Sequence, residues 1–180
     1  PSPPGRIDRI PYTARPLVTP AKIVGASIPE LFENLNLPEL RTRYRTRREL
    51  RARHPNHVAQ AAKKWANEQK DDRLKLEALW VSWGVDRLNK ELLIELLDSK
   101  DYRVRAAAVQ VLRNNFFNFE NEQELLMKAA QDSHGRVRVA AATSASHLSP
   151  KEGLPIVNAV IKTGIGKDYE GSLNFAKSAL

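Results

Sequence analysis

The chain has 180 residues, of which 42% are hydrophobic and 28% charged, a composition of folded rather than disordered chains. It contains no cysteine, which excludes disulfides, thiol catalysis, thiolate metal sites and c-type haem attachment within it. The net charge of +8 is local, because residues 1–69 hold 13 Lys+Arg against 6 Asp+Glu while residues 70–180 hold 16 against 15, so one basic docking patch is expected rather than a chain basic throughout.

Six of the eleven prolines fall in residues 1–20. Proline fixes φ and lacks an N–H, so residues 1–26 are expected to form an extended segment, with GRIDRI (5–10) alternating like an edge strand. The start at Pro1 rather than Met is expected of a processed or excised piece. From Ser27 the pattern turns helical and stays so to residue 180. Breakers at Pro38, Pro55, Gly84, Gly135, Pro150, Gly164 and Gly166 divide it into segments of ordinary helix length. These pair as 28–36 with 40–53, 56–69 with 71–84, 89–98 with 101–115, 122–132 with 135–148, and 151–163 with 167–180. No apolar run approaches the ~20 residues that span a bilayer, so no transmembrane segment is expected.

The pairs repeat. LLDSKDYRVRAAAVQVL (96–112) and AAQDSHGRVRVAAATSA (129–145) share Asp-Ser, a short turn, Arg-Val-Arg and an Ala-rich helix. Val104, Ala107, Ala108, Val111 and Leu112 fall on one helical stripe. Asp98 or Ser99, and Asp132 or Ser133, are candidate helix caps. This hairpin resembles the HEAT repeat, which buries its apolar face only by stacking on its neighbours. The expected fold is all-α: a HEAT-like α-α superhelix of about five hairpins over residues 27–180. Arg43, Arg105 and Arg138 occupy one repeat position, and pairing with an aspartate of the adjacent repeat is expected of them, with Asp98, Asp101 and Asp132 available.

Seven arginines crowd RTRYRTRRELRAR (41–53). In register with 103–112, Thr42, Thr46, Leu50 and Ala52 make a packing face. Arg43 is then accounted for by the repeat. Arg41, Arg45, Arg47, Arg48, Arg51 and Arg53 remain as a candidate partner-binding surface.

Signals for catalysis are missing. His54 and His57 straddle Pro55 with no third ligand nearby and read as surface or capping residues. Trp80 and Trp83 continue a stripe with Leu76 and Leu79, opposite Leu74, Ala78 and Val81, and read as core. Phe116, Phe117 and Phe119 lie in a connection. Gly164-Ile165-Gly166 reads as a helix C-cap rather than a phosphate loop. No nucleophile–base pair or carboxylate pair stands out, so the chain by itself is read as non-enzymatic.

Residues 16–53, AAKKWA (61–66), LEALWV (76–81) and DYRVRAAAVQVLRNN (101–115) together resemble the PVC-type haem-binding proteins of planctomycete-like bacteria. That family joins a sorbosone-dehydrogenase-like propeller, HEAT repeats and a c-type cytochrome. The resemblance implies a periplasmic or exported setting, a larger redox protein or electron-transfer assembly, and haem c on a separate domain or subunit, with no cofactor in this chain. Within that setting the chain is expected to be a non-catalytic scaffold binding neighbouring domains or subunits. The rival reading is a basic nucleic-acid-binding protein similar to HEAT-like DNA glycosylases. Charge confined to one end disfavours it, since wrapping a duplex needs an extended basic face.

Overall fold

Proline and short polar side chains set where the helices begin. The computed structural model describes residues 18–115, 117 and 119–164, so GRIDRI, Phe116 and the second helix of the fifth pair lie outside the described residues. Among these, α1 (Ile28–Asn34) starts with a capping box, Ser27 N–H donating to Glu30 Oε2 at 2.6 Å and Glu30 N–H to Ser27 Oγ at 3.4 Å. α2 (Leu40–Arg51) follows a short turn, and α3 (Pro55–Glu68) opens on proline, whose missing N–H is no loss in a first turn. Asp71 caps α4 (Asp72–Gly84), and Asn89 caps α5 (Lys90–Leu97). α6 (Tyr102–Arg113), α7 (Glu122–Ala130), α8 (Gly135–Ala145) and α9 (Pro150–Thr163) complete the described helices, and no strand occurs among the described residues.

The repeat caps differ from expectation. Asp101 caps α6 by accepting from Arg103 N–H, and His134 caps α8 by accepting from Arg136 N–H. Each helix therefore starts later than an Asp-Ser cap would require. The Asp-Ser pairs serve the turns instead: Ser99 is buried, bonds Asp72 of the preceding hairpin and accepts from Asp101 N–H. At the end of α4, Asp86 takes φ 57°. Arg87 N–H donates to Ser82 O and Asp86 N–H to Trp83 O, a Schellman closure with Asp in the usual glycine position. Gly164 ends α9 at φ 76°, the expected C-cap.

Neighbouring helices pack as hairpins, α1 on α2, α3 on α4, α5 on α6 and α7 on α8. The second helices also stack in sequence, α2 on α4, α4 on α6 and α6 on α8, while α9 covers α7 and α8. This is the solenoid arrangement, with each hairpin burying its neighbour's apolar face. α6 and α8 pack extensively against each other, and both are rich in buried alanine, Ala106 and Ala108 in α6 and Ala140, Ala141 and Ala142 in α8. Small side chains there let the backbones approach closely. Val104, Ala108, Val111 and Leu112 are buried as expected, but Ala107 is only half-buried and Ala106 and Val109 join the core.

Two other faces also shift. Thr46 and Leu50 are fully buried in α2, whereas Ala52 follows the last helical turn and is exposed. In α4 the buried set is Leu76, Glu77, Ala78, Leu79, Val81 and Ser82; Trp80 and Trp83 are half-buried against the core. Trp65 is the deepest tryptophan, tilted against Phe32 at 5.4 Å between ring centroids, with Nε1–H donating to Glu33.

Candidate protein-interaction face

A basic residue stands four positions after the cap of each of the four described second helices: Arg43 after Glu39, Lys75 after Asp71, Arg105 after Asp101 and Arg138 after His134. The three arginines turn back on their own hairpin. Arg43 Nη1 donates to Leu37 O at 2.8 Å and Pro38 O at 2.9 Å, Arg105 Nη1 to Ser99 O at 2.8 Å and Lys100 O at 3.2 Å, and Arg138 Nη1 to Asp132 O. They thereby satisfy carbonyls left open where the first helix ends. The same side chains then reach forward to the next repeat.

Arg105 holds Asp132 with Nε and Nη2 at 2.7 and 2.8 Å, a bidentate pair. Burial alone would raise the Asp132 carboxyl, but the Arg105 hydrogen bonds and the His134 N–H hold it below the usual carboxylate range. Asp132 in turn raises the Arg105 guanidinium. Two partners differ from the expected aspartates. Arg43 meets a glutamate, with its Nε 3.4 Å from Glu77 Oε1, and Arg138 Nε donates to the Gly164 carbonyl. Asp98 lies outside this ladder, exposed and paired with Lys128, while Asp101 caps α6 and pairs with Arg103. Lys75, which pairs with Glu95, fills the repeat position in the second hairpin. Its place four residues after Asp71 is the sequence signal that identifies it.

The Arg105–Asp132 pair gives a direct test of the ladder. Arg105→Ala and Asp132→Ala are each expected to cost about 2 kcal/mol, with a coupling of about 1.5 kcal/mol in a double-mutant cycle measured by urea unfolding. Simple additivity of the two losses contradicts the ladder.

The other arginines of α2 separate by angle. At 100° per residue Arg41, Arg45 and Arg48 fall within about 60° of one another, roughly opposite the buried Leu50. All three are exposed and have no ion-pair partner among the described residues, although Arg48 lies 6.0 Å from the Tyr44 ring centroid. Arg47 and Arg53 turn toward the protein. Arg47 Nη1 donates to Glu77 Oε2 at 2.6 Å, its guanidinium 5.7 Å from the Trp80 ring centroid, and Arg53 bonds Glu49 and the Ala26 carbonyl. Arg51 lies at the end of α4, where a Cβ added to Gly84 would come 2.7 Å from its Nε. A helix C-terminus favours a cation there. Glu77, buried in an apolar stretch, therefore takes both Arg43 and Arg47.

Around these arginines lies exposed apolar surface: Leu40 and Tyr44 on α2, and Val24 at 85% exposure in the turn before α1. Arg45, Arg48, Ile23 and Val24 share a shallow cleft of about 550 Å³. His54 and His57 are exposed with ring centroids 4.6 Å apart. Among the described residues no group of three or more His, Asp or Glu is placed to hold a metal ion, and no helix is long and apolar enough to cross a membrane.

With this geometry in hand, comparison with protein families gives one match: residues 90–168 match the family model of HEAT repeats. The match runs from the start of α5 past the end of α9 and supports a HEAT-repeat region over that stretch. Helices α1–α4 continue its stacking toward the N-terminus. No curated protein matches the chain.

Proposed function

We propose that the chain is a helical-repeat scaffold whose first hairpin docks an acidic protein surface through Arg41, Arg45 and Arg48. The observation that carries this reading is the position of those three side chains. They stand together, exposed and without carboxylate partners among the described residues, beside Tyr44 and Val24. Cations that serve the fold, such as Arg43, Arg47 and Arg105, are paired and mostly buried. Exposed arginines beside an exposed tyrosine have the composition of a binding surface rather than of a plain solvated helix.

The finer setting rests on the motifs of residues 16–53, 61–66, 76–81 and 101–115. Their resemblance to PVC-type haem-binding proteins supports a place in a larger haem-containing redox protein outside the cytoplasm. In that setting the scaffold would hold an acidic neighbouring domain in fixed geometry. Haem absorbance in the intact parent protein, or its lack, tests the setting separately from the docking face.

Reversal of three charges tests the face. Arg41→Glu/Arg45→Glu/Arg48→Glu is expected to weaken binding of a fluorescent Asp/Glu/Tyr-rich peptide at least ~10-fold, with unchanged thermal unfolding because all three side chains are exposed. Unchanged affinity rejects the face. Preferential binding of duplex DNA with a steep salt dependence favours the nucleic-acid reading instead.

A further inference from the structure

Far along the chain from α2, the connection between α6 and α7 and the turn between α8 and α9 meet around a cleft of about 410 Å³. Phe117, Phe119, Glu120, Glu122, His147 and Glu152 line it. Glu122, at the first position of α7, is 8% exposed. Among the described residues it has neither a hydrogen-bond nor an ion-pair partner, and its one charged neighbour of note is another carboxylate, Glu152. Burial first, and then the Glu152 charge, push its carboxyl up to about 7. Glu152 spends one oxygen on the α9 capping box, with Ser149 Oγ–H donating to its Oε2 at 2.6 Å, and that bond holds its carboxyl below the usual range. With no donor among the described residues, a carboxylate on so buried a side chain has its charge opposed by desolvation, which the favourable N-terminus of α7 offsets only in part.

We propose that this cleft receives an arginine side chain of a partner polypeptide, with the guanidinium between Glu122 and Glu152 and its flank against Phe117. The guanidinium fork can serve two carboxylates at once, is weakly hydrated, and stacks on aromatic faces. A bare metal ion fits poorly, because no metal-holding group of three ligands forms among the described residues. Phe117, 73% exposed at the rim, supplies apolar contact for the rest of a polypeptide. His147 and the exposed Glu120 also face the cleft, and Lys90 Nζ lies 5.6 Å from the Phe119 ring centroid. The cleft and the α2 face have opposite charge and are independent of each other, so this site stands whether or not the α2 face docks a partner.

The test is a nuclear magnetic resonance titration of the full chain with acetyl-Gly-Arg-Gly-amide and with its neutral citrulline counterpart. The arginine peptide is expected to shift the Glu122, His147 and Phe117 signals, and to lower the Glu122 titration midpoint as the cation stabilises the ionised form. Citrulline should do neither. Glu122→Gln and Glu152→Gln should each weaken binding at least ~10-fold, while Glu124→Gln, an exposed change on the same helix, should leave it unaltered. The Arg41/Arg45/Arg48 reversal should also leave this binding intact. Equal shifts with citrulline, no shifts with either peptide, or full binding by folded Glu122→Gln overturn the proposal.

Discussion

Glu77→Ala is expected to lower stability by about 3 kcal/mol and the melting temperature by about 10 °C. Glu77 is 5% exposed at its side chain and carries two guanidiniums, Arg47 Nη1 at 2.6 Å and Arg43 Nε at 3.4 Å. Those arginines are themselves only 21% and 18% exposed. Removing the carboxylate leaves two largely buried cations facing each other, the arrangement in which breaking an ion pair costs most. Arg43 keeps its carbonyl partners on Leu37 and Pro38, and Arg47 keeps Trp80 beneath it, which limits the loss. Glu77→Gln, which keeps a hydrogen-bond acceptor but loses the charge, should fall between the variant and the parent. Because repeat stability is a sum of neighbour terms, the damage should be local. Amides of α1 and α2 should lose hydrogen-exchange protection well before those of α6 and α8. A loss under about 1 kcal/mol, or one spread evenly over all hairpins, would contradict the role given to Glu77.

Why the hairpins were legible in sequence and Glu77 was not has a physical answer. A stacked hairpin must bury its second helix at a fixed spacing, and that need leaves the same Arg-Val-Arg and alanine pattern at residues 103–108 and 136–142. The helix starts expected at 101 and 135 fall within a residue of α6 and α8, but the caps differ, because Asp98, Ser99 and Asp101 are all good caps by composition and only the turn decides among them. Spacing alone separates the outward Arg41, Arg45 and Arg48 from the inward Arg43 and Arg47, once Leu50 is taken as the buried pole. What spacing cannot supply is the partner. Glu77 and Arg47 are thirty positions apart, and their pairing depends on how α2 lies across α4. A single charge inside LKLEALWV (74–81) was still a usable sign, because a carboxylate in a buried run needs a cation. Glu122 leaves no such sign. An acidic residue in a first turn is the ordinary choice there, and only the closeness of the α8–α9 turn makes this one costly.

That cost should be visible as a pH dependence. Unfolded, Glu122 has its ordinary value of 4.5; folded, its carboxyl titrates at about 7. Between those values the folded state binds more protons than the unfolded state. Stability is therefore greatest below the unfolded value, falls as pH rises through the folded one, and levels off above it. The full span is worth at most about 3 kcal/mol, and less in so far as water in the cleft screens the carboxylate. Glu152 works in the opposite sense, since a lowered carboxyl loses its contribution as pH falls; it is exposed and its effect should be small. Glu122→Gln cannot ionise, so it should match the parent at about pH 4 and exceed it by about 1–2 kcal/mol at about pH 8 in urea unfolding, water in the cleft screening part of the full span. Parallel profiles for the two proteins would show that Glu122 is not the group responsible. Saturation with the arginine peptide should erase most of the difference at about pH 8, because a cation in the cleft stabilises the same ionised carboxylate that burial disfavours. A variant that gains stability while losing its ligand would show that the fold tolerates Glu122 for binding rather than for packing.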